Sequence, residues 1–327
     1  MKTEIIYSLV RSEINAIDEI IKKKISSEVA LINQINYHIV RNQGKRLRSL
    51  MVILAAQSLG YNSKKYLIVG GIVELIHTAT LLHDDVIDEG KIRRGKRSAN
   101  NVFGNTASIL TGDFLYSRAF QMMLELENAK IMKIFANATN KIAEGEMLQL
   151  TQKNNFYTKP KDYMGIIYNK TSKLFEAGCD VICKLTNASC KERDGLISYA
   201  MNFGSAFQII NDIKDCIDDS QEGSNKNNFQ DLAAGNITLP IIHAFKNANT
   251  KEKALLKKNA DGTKIVQKTE IMEIIHRTNA IDYALNEAQS CIENAIYAIG
   301  KIRNSKYKDA LIALAQNVKT QSSLKNL

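Results

Sequence analysis

Six positions in two clusters could do chemistry that no other part of this chain could. Asp84, Asp85 and Asp88 close the apolar segment ELIHTATLLHDDVIDEG with i, i+1, i+4 spacing, and Asn211, Asp212 and Asp215 repeat that spacing in FGSAFQIINDIKDCIDD. On a helix, residues four apart share a face, so Asp84 lies with Asp88 and Asn211 with Asp215. Helix stability asks for the opposite, because carboxylates in a last turn meet the negative end of the macrodipole and repel one another. A counter-charge is required. Hard divalent cations such as Mg²⁺ take oxygen donors, keep several waters and bridge one or two carboxylates to a phosphate. Either cluster alone reads equally as a solvated acidic helix end; two of them in one chain point to a pair of metal-binding walls.

Basic residues flank the acids. KIRRGKR places Lys91, Arg93, Arg94, Lys96 and Arg97 directly after the first cluster, and QGKRLRS supplies Lys45, Arg46 and Arg48. Arginine's planar fork matches phosphate oxygens, and lysine adds a point charge. The net charge of +10 suits a nucleic acid, an anionic surface or a phosphorylated small molecule. Carboxylates beside the basic run would repel a nucleic-acid backbone, so no nucleic-acid partner is expected. A metal-bridged diphosphate accounts for both signs at once.

These side chains need rigid supports, and the sequence supplies helices. Ile5, Leu9, Ile14, Ile17 and Ile21 recur at steps that put one stripe on a helix. The same period predicts helices at about 27–40, 48–59, 64–89, 106–127, 129–151, 161–185, 191–219, 238–247, 267–303 and 306–322. Gly60 and Gly90 suit the left-handed position just past a helix, and Pro160 the first turn of one. Between Ser220 and Asn236 the period lapses into SQEGSNKNNFQDLAAGN, which is expected to form a mobile lid.

With 2 Pro and 17 Gly in 327 residues, turn formers are too scarce for a sandwich or barrel. The expected class is all-α, and the lack of any repeat or composition break predicts a single domain over 1–327. The longest strictly apolar run, Leu50 to Ala56, falls far short of the roughly 18 residues that cross a bilayer, so no membrane span is expected. The charged opening MKTEIIYSLVRSEINAIDE lacks the apolar block of a secretory signal, and a cytoplasmic protein is expected. Cys179, Cys183, Cys190, Cys216 and Cys291 are odd in number and read as buried small apolar residues.

LINQINYHIVRNQGKRLRS, the DDVIDEGKIRRGKRSANNVFGN stretch, GDFLYSRAFQMM, IAEGEMLQL, IYNKTSKLFEAG, GSAFQIINDIKD and DLAAGNITLP follow one another in order. On these blocks, across nearly the whole length, the chain resembles the trans-polyprenyl diphosphate synthase family. That resemblance implies antiparallel helices bundled around a deep central cavity, usually in a homodimer. It also implies chain extension, in which an allylic diphosphate such as farnesyl diphosphate ionises and isopentenyl diphosphate attacks the cation. By position, Asp84, Asp85, Asp88, Asn211, Asp212 and Asp215 would hold Mg²⁺ on the allylic diphosphate. Lys45, Arg48, His77 and Arg94 would bind isopentenyl diphosphate, and Arg93, Lys170 and Lys226 the allylic diphosphate. Thr171 and Gln208, with Lys170, would border the forming cation.

Small residues, Ala79 and Thr80, stand one turn before Asp84. Short-chain members of the family carry an aromatic there, so the resemblance is to the long-chain class, with a product of octaprenyl length for a quinone side chain. Three positions depart from the pattern: Asn211 and Gln230 stand where Asp is usual, and Asn236 where Lys is usual. An amide oxygen still ligates Mg²⁺ but brings no charge. Asn211, Asp215 and Asp219, at i, i+4, i+8, resemble instead the metal motif of class I terpene cyclases. Lys45, Arg48 and Arg94 oppose that reading, since a cyclase needs no isopentenyl diphosphate site. A weakened enzyme, or a partner subunit of a heteromeric synthase, is the alternative.

Overall fold

Helical periodicity governs nearly every described residue. A computed structural model describes residues 1–40, 44–93, 95–217, 229–260 and 267–320. In chain order the helices are α1 (Thr3–Leu9), α2 (Arg11–Lys24), α3 (Ala30–Val40), α4 (Leu47–Ser58), α5 (Lys65–Ile87), α6 (Ala99–Phe103), α7 (Asn105–Leu124), α8 (Ala129–Thr151) and α9 (Pro160–Ile167). A π-helical turn, Tyr168–Ser172, leads from α9 into α10 (Lys173–Leu185). There follow α11 (Cys190–Cys216), α12 (Gln230–Ala233), α13 (Leu239–Asn247), α14 (Thr250–Ala260), α15 (Lys268–Arg277), α16 (Ala280–Ile299) and α17 (Lys306–Thr320). Among the described residues the only strands are β1 (Ile92–Arg93) and β2 (Lys96–Arg97), one short antiparallel ribbon. The all-α class is as the sequence predicts.

Several boundaries differ from expectation for local reasons. The stripe from Ile5 to Ile21 is divided between α1 and α2 at Val10, whose φ of −131° is not helical. The expected helix 267–303 breaks between α15 and α16 at Asn279, which takes a left-handed φ of 51°. Gly60 ends α4 with φ 71°, but after α5 it is Glu89, with φ 51°, and not Gly90 that turns left-handed. The cause is Asp88, the C-cap of α5, which puts the left-handed position one residue earlier. Lysine-rich α14 has too weak an apolar period to be foreseen. Four cysteines are buried as expected, whereas Cys190, the first residue of α11, is exposed.

The chain divides into two compact units. The first holds Met1–Thr139, Leu174–Ile197 and Ile299–Ala313, and within it α5 packs against α2, α4 and α7. Leu50, Ile53, Leu54, Ile72, Ile76 and Ala79 are fully buried there. By length and composition α5 passes the test for a membrane span, which strict apolar runs had excluded; 67% of its most apolar stretch is buried inside the protein, as befits a core helix. The second unit holds Asn140–Lys173, Ser198–Ala298 and Leu314–Leu327. In it α13 packs on α9, α14 and α15, Tyr199 stacks on Phe203 with ring centroids 6.1 Å apart, and Phe156 meets Phe245 at 4.8 Å.

Candidate active site

The apolar body of α5 delivers the first acidic cluster to the helix end. Asp84 and Asp85 occupy its last turn and Asp88 caps it. Burial differs within the cluster, with Asp84 half-buried, Asp85 buried and Asp88 exposed. The chain supplies part of the missing counter-charge itself. Arg93, on β1, donates from Nε to both oxygens of Asp85 at 2.9 and 2.8 Å and from Nη2 to Oδ1 at 2.7 Å. A left-handed Gly95, φ 76°, turns the ribbon back on itself, pairing Arg93 with Lys96. The Asp85 carbonyl accepts Asn100 Nδ2 at 2.9 Å, and Ser98 Oγ donates to Gly90 O at 2.6 Å, so the basic hairpin is tied to the acidic helix end. Arg94 lies outside the described residues.

Earlier in the same unit, Lys45 is exposed while Arg48 and His77 are half-buried. Arg48 lies over the Phe175 ring at 4.8 Å, a cation–π contact that holds the guanidinium plane. Arg46 behaves differently from its neighbours. Its guanidinium is turned into the protein against Asp18 and Glu74.

In the second unit the π turn and α11 form a chain of hydrogen bonds. Thr171 Oγ1 donates to Gln208 Oε1 at 3.0 Å, Gln208 Nε2 donates to Asp212 Oδ1 at 2.7 Å, and Tyr163 OH donates to Asp212 Oδ2 at 2.5 Å. Thr171 and Gln208, grouped by sequence, are thus in contact. Lys170 extends to Glu146 Oε2 at 2.7 Å and Gln149 Oε1 at 2.9 Å. The π turn fits only because of two glycines. A Cβ on Gly145 would lie 2.9 Å from Lys170 N, and one on Gly204 would lie 2.6 Å from Ser172 Cα.

Asp215 has a second role that spacing did not reveal. Its Oδ1 accepts the Gln230 N–H and its Oδ2 the Asp231 N–H, both at 3.0 Å, so it caps α12. The expected lid is therefore partly built structure: Phe229, Leu232 and Asn236 are buried. Ser220 to Asn228, with Lys226, lies outside the described residues, as does Asp219. The sequence reading also missed Tyr163 and Asp231. No local pattern marks Tyr163, which is far from Asp212 in the chain, and Asp231 sits where the apolar period has lapsed.

Burial, and then the charge of Asp231, push the Asp212 carboxyl up to about 8 and that of Asp215 up to about 7. Burial, then the charge of Asp212, also holds the Tyr163 hydroxyl well above its usual range. Asn211 is half-buried, and Asn236 has a buried Oδ1 with no hydrogen-bond partner among the described residues. Among the described residues no three His, Cys, Asp or Glu side chains form a finished metal cage. The donor set nonetheless fits a hard divalent cation, since the candidate ligands are all oxygen. Magnesium commonly uses such partial sites, completing its shell with water and substrate phosphate.

The polyprenyl synthetase family profile matches residues 29–277. An octaprenyl diphosphate synthase of Haemophilus influenzae is 39% identical over 316 residues, covering 96% of each chain. Among solved structures, a decaprenyl diphosphate synthase from Rhodobacter capsulatus superposes with a TM-score of 0.91 at 32% identity, over 97% of this chain and 98% of that one. A polyprenyl synthase from Caulobacter crescentus, complexed with calcium and isoprenyl diphosphate, gives a TM-score of 0.92 at 31% identity over 98% of both.

Proposed function

The chain belongs to the polyprenyl synthetase family and is a long-chain trans-prenyl diphosphate synthase, and we propose that it extends farnesyl diphosphate with isopentenyl diphosphate to octaprenyl diphosphate, for a quinone side chain. The observation that carries this reading is the pair of oxygen-only clusters, the second with a buried Asp212 held by Gln208 and Tyr163. Asp84, Asp85, Asp88, Asp212 and Asp215, with the Asn211 amide oxygen, would hold Mg²⁺ for the allylic diphosphate. When bound, Mg²⁺ supplies the Lewis acid that neutralises the departing diphosphate.

The residues of the chain do the rest. Arg93, Lys170 and Lys226 grip the allylic diphosphate, which leaves with the electrons of its C–O bond. Lys45, Arg48, His77 and Arg94 seat isopentenyl diphosphate, whose double bond forms the new C–C bond. Thr171 and Gln208 border the cation, and the released diphosphate accepts the proton lost as the new double bond forms. A protein base strong enough for that step would risk alkylation, and none is invoked.

Residues 1–327 act as one synthase domain, since the family match runs through both compact units. The enzyme works as a homodimer, supported by the apolar row Leu110, Phe120 and Leu124 exposed on α7. It works in the cytoplasm, in keeping with five free cysteines. One observation favours a second reading: Asn211 brings the second cluster a donor without charge, as in an impaired enzyme or a partner subunit. Incubation of the purified chain with labelled isopentenyl diphosphate, farnesyl diphosphate and Mg²⁺ decides between them. An all-trans octaprenyl product supports the synthase; no extension by the chain alone supports the partner subunit.

A further inference from the structure

The fold buries an acid that neither the proposed chemistry nor the packing of α5 requires. Glu74 is 4% exposed in the middle of that helix, where a carboxylate without partners would cost several kcal/mol. Among the described residues its side-chain partners all come from one short segment. Oε1 accepts the Ser49 N–H and the Ser49 hydroxyl, each at 3.0 Å, and Oε2 accepts Arg46 Nη1 at 3.1 Å. Ser49 lies in the first turn of α4, and the N-cap residue, Arg46, makes no capping bond from its own side chain. Glu74 thus caps α4 from a neighbouring helix, with its charge at the positive end of the dipole.

Arg46 has the left-handed φ of 47°, which costs a residue with a Cβ about 1–2 kcal/mol. The guanidinium is clamped on both sides: Asp18, on α2, accepts from Nε at 3.0 Å and Nη2 at 2.8 Å, opposite the bond to Glu74. The Tyr7 hydroxyl donates to the Lys45 carbonyl, fixing the adjoining peptide. This strained turn is where Lys45 and Arg48 leave the backbone, one on each side of Arg46. Three residues after Glu74, on the same helix, is His77.

We propose that Glu74, acting through Arg46 and Asp18, is the positioning residue of the isopentenyl diphosphate subsite. It holds Lys45 and Arg48 at the angle that diphosphate recognition needs, in register with His77. Arg46 is accordingly a part of the clamp and not a diphosphate ligand. The inference rests on the reading that Lys45, Arg48 and His77 bind isopentenyl diphosphate.

Steady-state kinetics of Glu74→Gln test it, together with calorimetric titration of isopentenyl diphosphate alone, which measures binding without turnover. Small displacements of binding groups carry large penalties, so KM and Kd for isopentenyl diphosphate are expected to rise about tenfold or more. KM for farnesyl diphosphate and kcat with both substrates saturating should stay near the parent values. A purely structural role would reduce the active fraction, lowering kcat and leaving both KM values alone. That outcome, or an equal rise in both KM values, overturns the proposal. Lys45→Ala and Arg48→Ala separate the two layers. If they leave KM for isopentenyl diphosphate unchanged, the subsite reading fails; if they raise it and Glu74→Gln does not, only the positioning role fails. Should Glu74→Gln not fold, Asp18→Asn, at the more exposed side of the clamp, must shift the same KM in the same direction or the proposal is overturned.

Discussion

At Asn211 the second acidic cluster differs from the first by one atom and one charge. The amide oxygen remains a donor for a hard cation, but a neutral donor loses the Coulomb attraction, worth on the order of 1 kcal/mol even in a watery site. Asn211→Asp is therefore expected to lower the Mg²⁺ concentration for half activity by about fivefold; a magnesium titration with no shift would remove Asn211 from the metal shell. Ala79 makes a separate claim at the same scale. It is fully buried one turn before Asp84, and on the proposed reading the growing product runs past it. Ala79→Tyr is expected to shorten the product by several isoprene units, read by chromatography of the dephosphorylated chains, and to lower stability by about 1–3 kcal/mol through overpacking. Unchanged product length would mean that Ala79 is small only to let helices pack.

At the scale of elements, the legible features were those encoded by local period and local charge. The apolar stripes located most of the helices, and the two aspartate clusters stand at or near helix ends, on α5 and α11, as their spacing implied. What the sequence concealed depends on distant partners. The π turn Tyr168–Ser172 looks like ordinary helix in the chain, and its shape follows from Gly145 and Gly204 allowing backbone to approach from α8 and α11. Tyr163 joins Asp212 only through tertiary folding, and nothing in the spacing of Asp215 reveals that it also caps α12. The glycines yield a paired prediction. Gly204→Ala would press a Cβ to 2.6 Å from Ser172 Cα, so about 1–3 kcal/mol of stability should be lost, with kcat falling as Thr171 shifts from Gln208. Gly165, inside α9, has open space where a Cβ would stand, with nothing within 4 Å; Gly165→Ala should add about 0.5–1 kcal/mol with kcat unchanged. Thermal melts and kcat together would sink the assignment if both variants behaved alike.

For the molecule as a whole, the second cluster makes stability depend on pH and on metal together. Unfolded aspartates titrate near 3.9, whereas burial and then the charge of Asp231 raise Asp212 to about 8 and Asp215 to about 7. Between those limits the folded chain binds more protons than the unfolded one, so the stability from these groups is complete below about pH 4 and declines as pH rises toward 8. Each full proton difference contributes a slope of up to about 1.4 kcal/mol per pH unit. Metal-free protein in EDTA is therefore expected to melt at progressively lower temperature between about pH 5 and pH 8. Magnesium favours the ionised carboxylates, so the rise in Tm it causes should be larger at pH 8 than at pH 6. Asp212→Asn removes one titrating group and should flatten the EDTA profile while shrinking the magnesium effect. A melting temperature that climbs through this range without metal, or a magnesium shift that ignores pH, would mean that these carboxylates are already charged and neutralised by the protein, and that the second wall does not wait for a cation.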